Sequence, residues 1–372
     1  MAGPRVALVH DYLNQYGGAE RVLEELHGLF PEAPIYTSIY WPEKMSPAIR
    51  AMDVRTSFMQ RLPGVVRRHQ QYLPFYPFAF ASFDLGQYDL VISNSSAFCK
   101  GVRTRPGARH VCYCLTPMRW VWNTDAYLAR EQLGPAVRLA LRPVLRWLRA
   151  WDLATNRRVD RFVTTSRAVA ERISRHYRRD ATILPPPVDC SALAPQPERV
   201  EEYYLVLSRL IPYKRIDLAV DACTRLGRRL KIAGSAGRDE TALRARAGRS
   251  VEFLGRVSDE ERRDLLARCR AFLFPGEEDF GITPVEAGAS GRPAIAYAAG
   301  GALDTVVDGR TGVLFRPQSV AALAGAIERS EAIAWDPEAI RAHALRFDAG
   351  VFRRRFPAVV AETLDGRVAA AR

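Results

Sequence analysis

From Tyr203 to Phe315 the chain alternates between two periodicities, and that alternation leaves few folds open. Short apolar runs at Tyr203–Leu207, Leu230–Ala233, Val251–Phe253, Ala271–Phe274, Ala294–Tyr297 and Val313–Phe315 read as strands, and stretches of helical period separate them. Such alternation predicts a parallel sheet with helices on both faces. The first half reads the same way, with strands at Arg5–His10, Ile35–Ser38, Val54–Thr56, Asp89–Ser93, His110–Cys114 and Phe162–Thr164. Between the halves lies Pro185-Pro186-Pro187-Val188-Asp189, a stiff extended connector. The expected fold class is therefore α/β, with two Rossmann-like domains facing a central cleft. The domains are residues 1–184 and 185–345, and a last helical segment, 346–372, carries Phe347, Phe352, Phe356, Val359 and Val360 as an apolar stripe.

The most informative loop follows the strand Ala271–Phe274. It runs Pro275-Gly276-Glu277-Glu278-Asp279-Phe280-Gly281 and leads into a helix that Thr283 should cap, with Pro284 in the first turn. The backbone N–H groups of Gly281, Ile282 and Thr283 then point off a helix N-terminus, which attracts phosphate. Glu278 and Glu286 flank that N-terminus, and carboxylates beside an anion site make electrostatic sense when they accept hydrogen bonds from hydroxyls. Other strand ends are also polar or glycine-rich: Arg209 and Lys214 after the first strand of this half, Gly255-Arg256 after the third, and Asn94-Ser95-Ser96 with Lys100 in the first half. Open α/β sheets bind ligands at such ends. Gly17-Gly18 opens the first helix, and there a plain flexible turn and a phosphate-approach loop are both compatible with the sequence. Only four of the 54 basic residues are Lys, so Lys214 stands out as a compact point charge.

The run Glu278-Asp279-Phe280-Gly281-Ile282-Thr283-Pro284-Val285-Glu286-Ala287 resembles the retaining GT-B glycosyltransferases of family 4. The resemblance implies that Glu278 meets the transferred sugar and that Glu286 holds the nucleotide ribose. It further implies that Arg209 and Lys214 grip the donor diphosphate, that Gly17 and Gly18 lie across the cleft from it, and that the Gly255-Arg256 loop borders the base. In GT-B folds the last helix crosses back onto the first domain. The segment Tyr113-Cys114-Leu115-Thr116-Pro117-Met118-Arg119-Trp120 resembles the mannosyltransferase subgroup of surface-polysaccharide assembly, in which Arg119 would contact acceptor or phosphate. Two positions depart from the family: Leu115 stands where many members have a cleft-facing His, and Asp304 replaces a Glu in Gly300-Gly301-Ala302-Leu303-Asp304. The function implied is retaining transfer of a sugar, mannose from GDP-mannose, to a hydroxyl of a lipid-linked saccharide or other glycan. A non-catalytic nucleotide-sugar-binding partner of another transferase, a UDP-sugar enzyme with a small-molecule acceptor, and a phosphorylase or epimerase remain as rival readings. No cofactor is expected, the nucleotide-sugar being a co-substrate, and no metal, since no D-x-D cluster is present.

Charge bears on the partners. The net charge is +13, and residues 1–190 carry 26 Lys and Arg against 16 Asp and Glu. A basic first half suits anionic lipid or a phosphate-bearing acceptor, while an Arg- and Ala-rich composition explains it equally well. No nucleic-acid-binding module is recognisable, so that partner is not expected. Arg138, Arg142, Arg146 and Arg149 recur at helical steps within a helical stretch from Tyr127 to Asn156. The aromatic, proline-containing segment Tyr72–Phe83, preceded by basic Arg61–Arg68, reads as a non-helical loop that either faces a membrane or acceptor or tucks onto the core. Val6–Val9 is too short for a signal peptide, and six cysteines without disulfide or zinc spacing suggest reduced, buried thiols. The location expected is cytoplasmic, at the inner face of the membrane.

Overall fold

The computed structural model describes residues 3–124, 135–235, 237 and 239–366. It divides into two compact units, Met1–Pro185 with Phe352–Arg372, and Pro186–Val351. In the first unit seven strands form one sheet: β1 (Val6–His10), β2 (Ile35–Thr37), β3 (Val54–Thr56), β4 (Leu90–Ser95), β5 (Arg109–Cys114), β6 (Arg161–Thr164) and β7 (Ala181–Ile183). Their spatial order is β3-β2-β1-β4-β5-β6-β7, and every pairing is parallel. The second unit holds β8 (Tyr203–Leu207), β9 (Arg229–Ala233), β10 (Val251–Gly255), β11 (Ala271–Phe274), β12 (Ala294–Tyr297) and β13 (Gly312–Phe315). Their order is β10-β9-β8-β11-β12-β13, again all parallel. The central strands β4 and β11 are buried along their whole length; β11 accordingly reads as an unbroken apolar run, whereas β4 turns polar at Ser93, Asn94 and Ser95 while staying buried.

Two expectations about helices change. The aromatic segment is helical after all, as a 3₁₀ stretch over His69–Phe75 and an α-helix over Tyr76–Ala81. Pro77 lies in the first turn of that helix, where a missing N–H costs nothing, so proline marks its start rather than forbidding it. The long basic helix runs Pro135–Thr155 with Pro143 inside it. The part of the expected stretch at 127–134, and the side chain of Arg138, lie outside the described residues.

The first unit finishes its core with sequence-distant material. Phe352, Phe356, Val359 and Val360 of the helix Ala349–Leu364 pack among Leu8, Ile35, Ile92, Val111 and Tyr113. The Phe352 and Phe356 rings stack 5.3 Å apart, and Tyr113 meets Phe352 edge-on at 5.7 Å. Both phenylalanines are essentially inaccessible, so each contributes about 1.5–3 kcal/mol of burial. All six cysteines are free and buried.

Candidate active site

Each sheet reverses its strand order once, between β1 and β4 in the first unit and between β8 and β11 in the second. A crevice opens at such a point beyond the carboxyl ends of the two strands. In the second unit, the loop after β8 brings Arg209 and Lys214, and the loop after β11 brings Glu277, Glu278 and Gly281. Lys214 Nζ and Glu278 Oε1 form an ion pair across this crevice, with both side chains largely withdrawn from solvent. Lys214 also lies 5.2 Å from the Tyr213 ring centre. Arg209, on the same loop after β8, is exposed.

Glycines let these loops approach. A Cβ on Gly276 would stand 2.9 Å from the Lys214 Cα and carbonyl oxygen, so only glycine lets the two loops touch. Gly300, at φ +59°, would drive a Cβ to within 2.2 Å of the Glu278 carbonyl, and the Gly301 N–H donates to that same oxygen at 2.8 Å. The acidic loop is thus clamped between its two neighbours. Asp304 lies on the short helix Ala302–Thr305 that follows the clamp.

The next helix is Ile282–Ala289, and its N-cap is Gly281 at φ 88°, not Thr283. A left-handed glycine reaches the cap geometry without a side chain, which places Thr283 and Pro284 inside the first turn. Glu286 therefore sits in the second turn rather than the first. It is buried and bonded through Oε1 to the Arg262 guanidinium at 2.6 Å. Burial works against the Arg262 charge, but the carboxylates of Glu286 and Asp259 outweigh it and its pKa is raised. Arg262 lies on Asp259–Arg268, a helix started by a full capping box of Ser258 and Glu261. Sequence reasoning passed over it because it is one Arg among 50, and only the fold brings it to Glu286. Gly255, at φ +69°, and the exposed Arg256 end β10 nearby in the same sheet.

The first unit treats its own reversal point differently. Asp11, just after β1, accepts four backbone N–H bonds from the loop after β4: Ser96 (2.6 Å), Ala97 (2.9 Å), Phe98 (2.6 Å) and Cys99 (2.7 Å). A cradle of N–H groups that could hold an anion is filled from within by a carboxylate. Asn94 is fully buried, its amide donating to the Ala19 carbonyl at 2.8 Å and lying 3.3 Å from His10 Nδ1. It ties the end of β4 to the start of the helix Gly18–Leu29, whose N-cap is Gly17 in extended conformation. Gly18 is exposed, as is Arg119 at the start of the short helix Arg119–Trp122, while Leu115 packs partly into the core. Lys100, read from sequence as a strand-end polar residue, is instead an internal ion-pair partner of Asp152. Among the described residues no cluster of three or more His, Cys, Asp or Glu side chains could hold a metal ion.

Two family models match the chain, that of the group 1 glycosyl transferases over residues 195–343 and that of glycosyltransferase family 4 over residues 16–192. An alpha-1,3/1,6-mannosyltransferase, ALG2, of Dictyostelium discoideum is 46% identical over 68 residues, which is 18% of this chain and 16% of that protein. A GDP-mannose-dependent alpha-(1-6)-phosphatidylinositol monomannoside mannosyltransferase of Mycolicibacterium smegmatis is 33% identical over 172 residues, 39% of this chain and 45% of that one. The matched segments thus span less than half of either relative. Among solved structures, Anabaena Alr3699/HepE in complex with UDP and glucose superposes with a TM-score of 0.69 at 18% identity, covering 96% of this chain and 100% of that one.

Proposed function

Because the chain belongs to the group 1 and family 4 glycosyltransferases and has the GT-B fold, we propose that it is a retaining mannosyltransferase that uses GDP-mannose. The acceptor in this reading is a hydroxyl of a lipid-linked saccharide or other glycan. The observation that carries the transfer chemistry is the Lys214–Glu278 ion pair at the β8/β11 reversal, beside the N-terminus of the helix Ile282–Ala289. Mannose is supported by the two sequence relatives, both mannosyltransferases.

Without donor, Lys214 is held by Glu278. When a sugar diphosphate enters, Lys214 exchanges that carboxylate for phosphate, and Glu278 is released to accept from sugar hydroxyls. Arg209, Lys214 and the helix N-terminus then supply positive charge to the departing diphosphate, the kind of stabilisation that dominates such barriers. With that charge built into the protein, no divalent cation is required. The acceptor oxygen attacks the face that the leaving group vacates and passes its proton to the leaving phosphate, so Leu115 needs no basic replacement. Glu286, fixed by Arg262, accepts from the ribose, and Arg119 contacts the acceptor.

Calorimetric titration with GDP, UDP, GDP-mannose and UDP-glucose without added metal tests this. Micromolar binding of the guanine series, lost in Glu286→Ala, is expected, followed by α-configured product from GDP-mannose. Binding of UDP alone would overturn the donor, and inversion at the sugar carbon would overturn the mechanism.

A further inference from the structure

Two stretches of the first unit, 54–83 and 132–151, contain no Asp or Glu, yet hold four Arg each. The fold brings them together. Phe78, on the helix Tyr76–Ala81, stacks on Trp147, on the helix Pro135–Thr155, with ring centres 6.1 Å apart and planes at 23°. Both rings stay open to solvent, Phe78 at 59% and Trp147 at 41%. Five of the eleven exposed large apolar side chains among the described residues lie on or next to these two helices: Phe75, Phe78, Leu139, Trp147 and Leu153.

On the long helix the burial pattern separates the faces. Leu145, Leu148 and Asp152 point inward, while Leu139, Arg142, Arg146, Trp147 and Leu153 share the outer arc at helical spacing. The outer arc is thus apolar and cationic at once. On the preceding short helix Val65–Arg68, Arg68 is exposed, while the exposed Arg67 lies over the Trp41 ring, 5.4 Å from its centre. Arg149, which the sequence placed in the same stripe, is drawn out of it: its guanidinium donates to the Val121 carbonyl at 2.8 Å and lies 5.3 Å from the Trp122 ring centre.

We propose that this face docks on an anionic lipid bilayer. Aromatic and aliphatic side chains flanked by Arg, on helices lying along a surface, match the boundary between acyl chains and head groups. Among the described residues no helix is long and apolar enough to cross a membrane, so the contact is peripheral. A second copy of the chain is a poor occupant, since a two-fold contact would set the Arg rim against itself. Nucleic acid would use the arginines but gains nothing from exposed Leu139 and Leu153. The inference does not depend on which sugar is transferred, and holds or fails apart from it.

The test is flotation of the full chain with vesicles of phosphatidylcholine alone and of phosphatidylcholine mixed equally with phosphatidylglycerol. Partitioning onto the anionic vesicles should be at least roughly tenfold stronger and should weaken with salt. Phe78→Ser with Trp147→Ser, and separately Arg142→Glu with Arg146→Glu, should each abolish it while thermal unfolding stays unchanged, because all four side chains are exposed. Equal binding to neutral vesicles, no binding at all, or binding that survives both pairs of substitutions would overturn the proposal. So would a dimer that dissociates in the Phe78/Trp147 variant without any vesicle binding, or binding to a single-stranded oligonucleotide in preference to lipid.

Discussion

Replacing Lys100 with Met should destabilise the first unit sharply, though position 100 follows the strand end where ligand contacts were expected. The ammonium is 1% exposed and all three of its donors are taken: the Asp152 carbonyl at 2.7 Å, Thr155 Oγ1 at 2.8 Å and Asp152 Oδ1 at 2.9 Å. The Tyr177 ring centre lies 4.8 Å away. Asp152 is itself fully buried and takes a 2.7 Å bond from Trp122 Nε1. Removing only the cation leaves a carboxylate in the interior with one neutral donor. Breaking a buried pair in this one-sided way costs about 3–5 kcal/mol. For a unit of 150–250 residues each kcal/mol moves the midpoint by about 2–4 °C, so the first transition should fall by roughly 6–20 °C. Lys100→Met combined with Asp152→Asn removes the orphaned charge and should recover more than half of that loss. The assay is differential scanning calorimetry of the single and double variants, with nucleotide titration as a control that the second unit is intact. A single variant melting within about 2 °C of the parent, well below the range just derived, would refute the reasoning. A double variant no better than the single one would show that packing, not charge, sets the cost.

Four further outcomes are expected. Lys214→Ala should lower turnover by roughly 10²–10³-fold with little change in melting temperature, read in single-turnover assays; unchanged turnover would remove Lys214 from the chemistry. Arg262→Ala should weaken GDP binding roughly tenfold through loss of the fixed Glu286, and the effect should vanish with a 2′,3′-dideoxy nucleotide; equal loss with both would assign Arg262 to folding alone. Gly300→Ala combines a strained φ with a Cβ on the Glu278 carbonyl, so calorimetric nucleotide affinity should collapse, and an unchanged dissociation constant would refute the clamp. His110 is held neutral, accepting from the Ser93 hydroxyl at 2.8 Å and donating to the Arg158 carbonyl at 3.0 Å, and burial pushes its pKa down to about 4. The unfolded chain then binds the extra proton between pH 6.5 and 4, so its contribution to stability is present above about 6.5 and is lost as pH falls toward 4; in His110→Gln the slope of melting temperature against pH across that window should shrink.

What could be read in advance tracks what is local. Strands such as β8, β11 and β12 are legible to the residue because a fully buried parallel strand is an apolar run bounded by polar loops. The approach of the Lys214 loop to the acidic loop left a trace in the glycine at 276, although sequence alone does not say which backbone that glycine admits. Scarcity of lysine marks specific contacts in general rather than a ligand site in particular. All four lysines make specific contacts: Lys44 on the Trp41 ring, Lys100 with Asp152, Lys214 with Glu278, and Lys231 with Glu201 and the Tyr203 ring. Arg262 was invisible because its partner is 24 positions away and one guanidinium looks like another. The helices at 69–81 are hidden in sequence because proline breaks a helix interior but suits a first turn, and the sequence does not say which of the two Pro77 occupies.

The Phe352–Val360 stripe has a consequence for how the chain is made. A ribosome releases Leu8, Ile92 and Tyr113 early, yet the side chains that cover them emerge only after the whole second unit has been synthesised. Until position 352 emerges the first sheet carries an uncovered apolar trough, whereas the second unit has all six of its described strands in hand by Phe315. The later-born half is therefore free to reach its native state first, and nascent chains stalled before position 352 should be the species that chaperones hold.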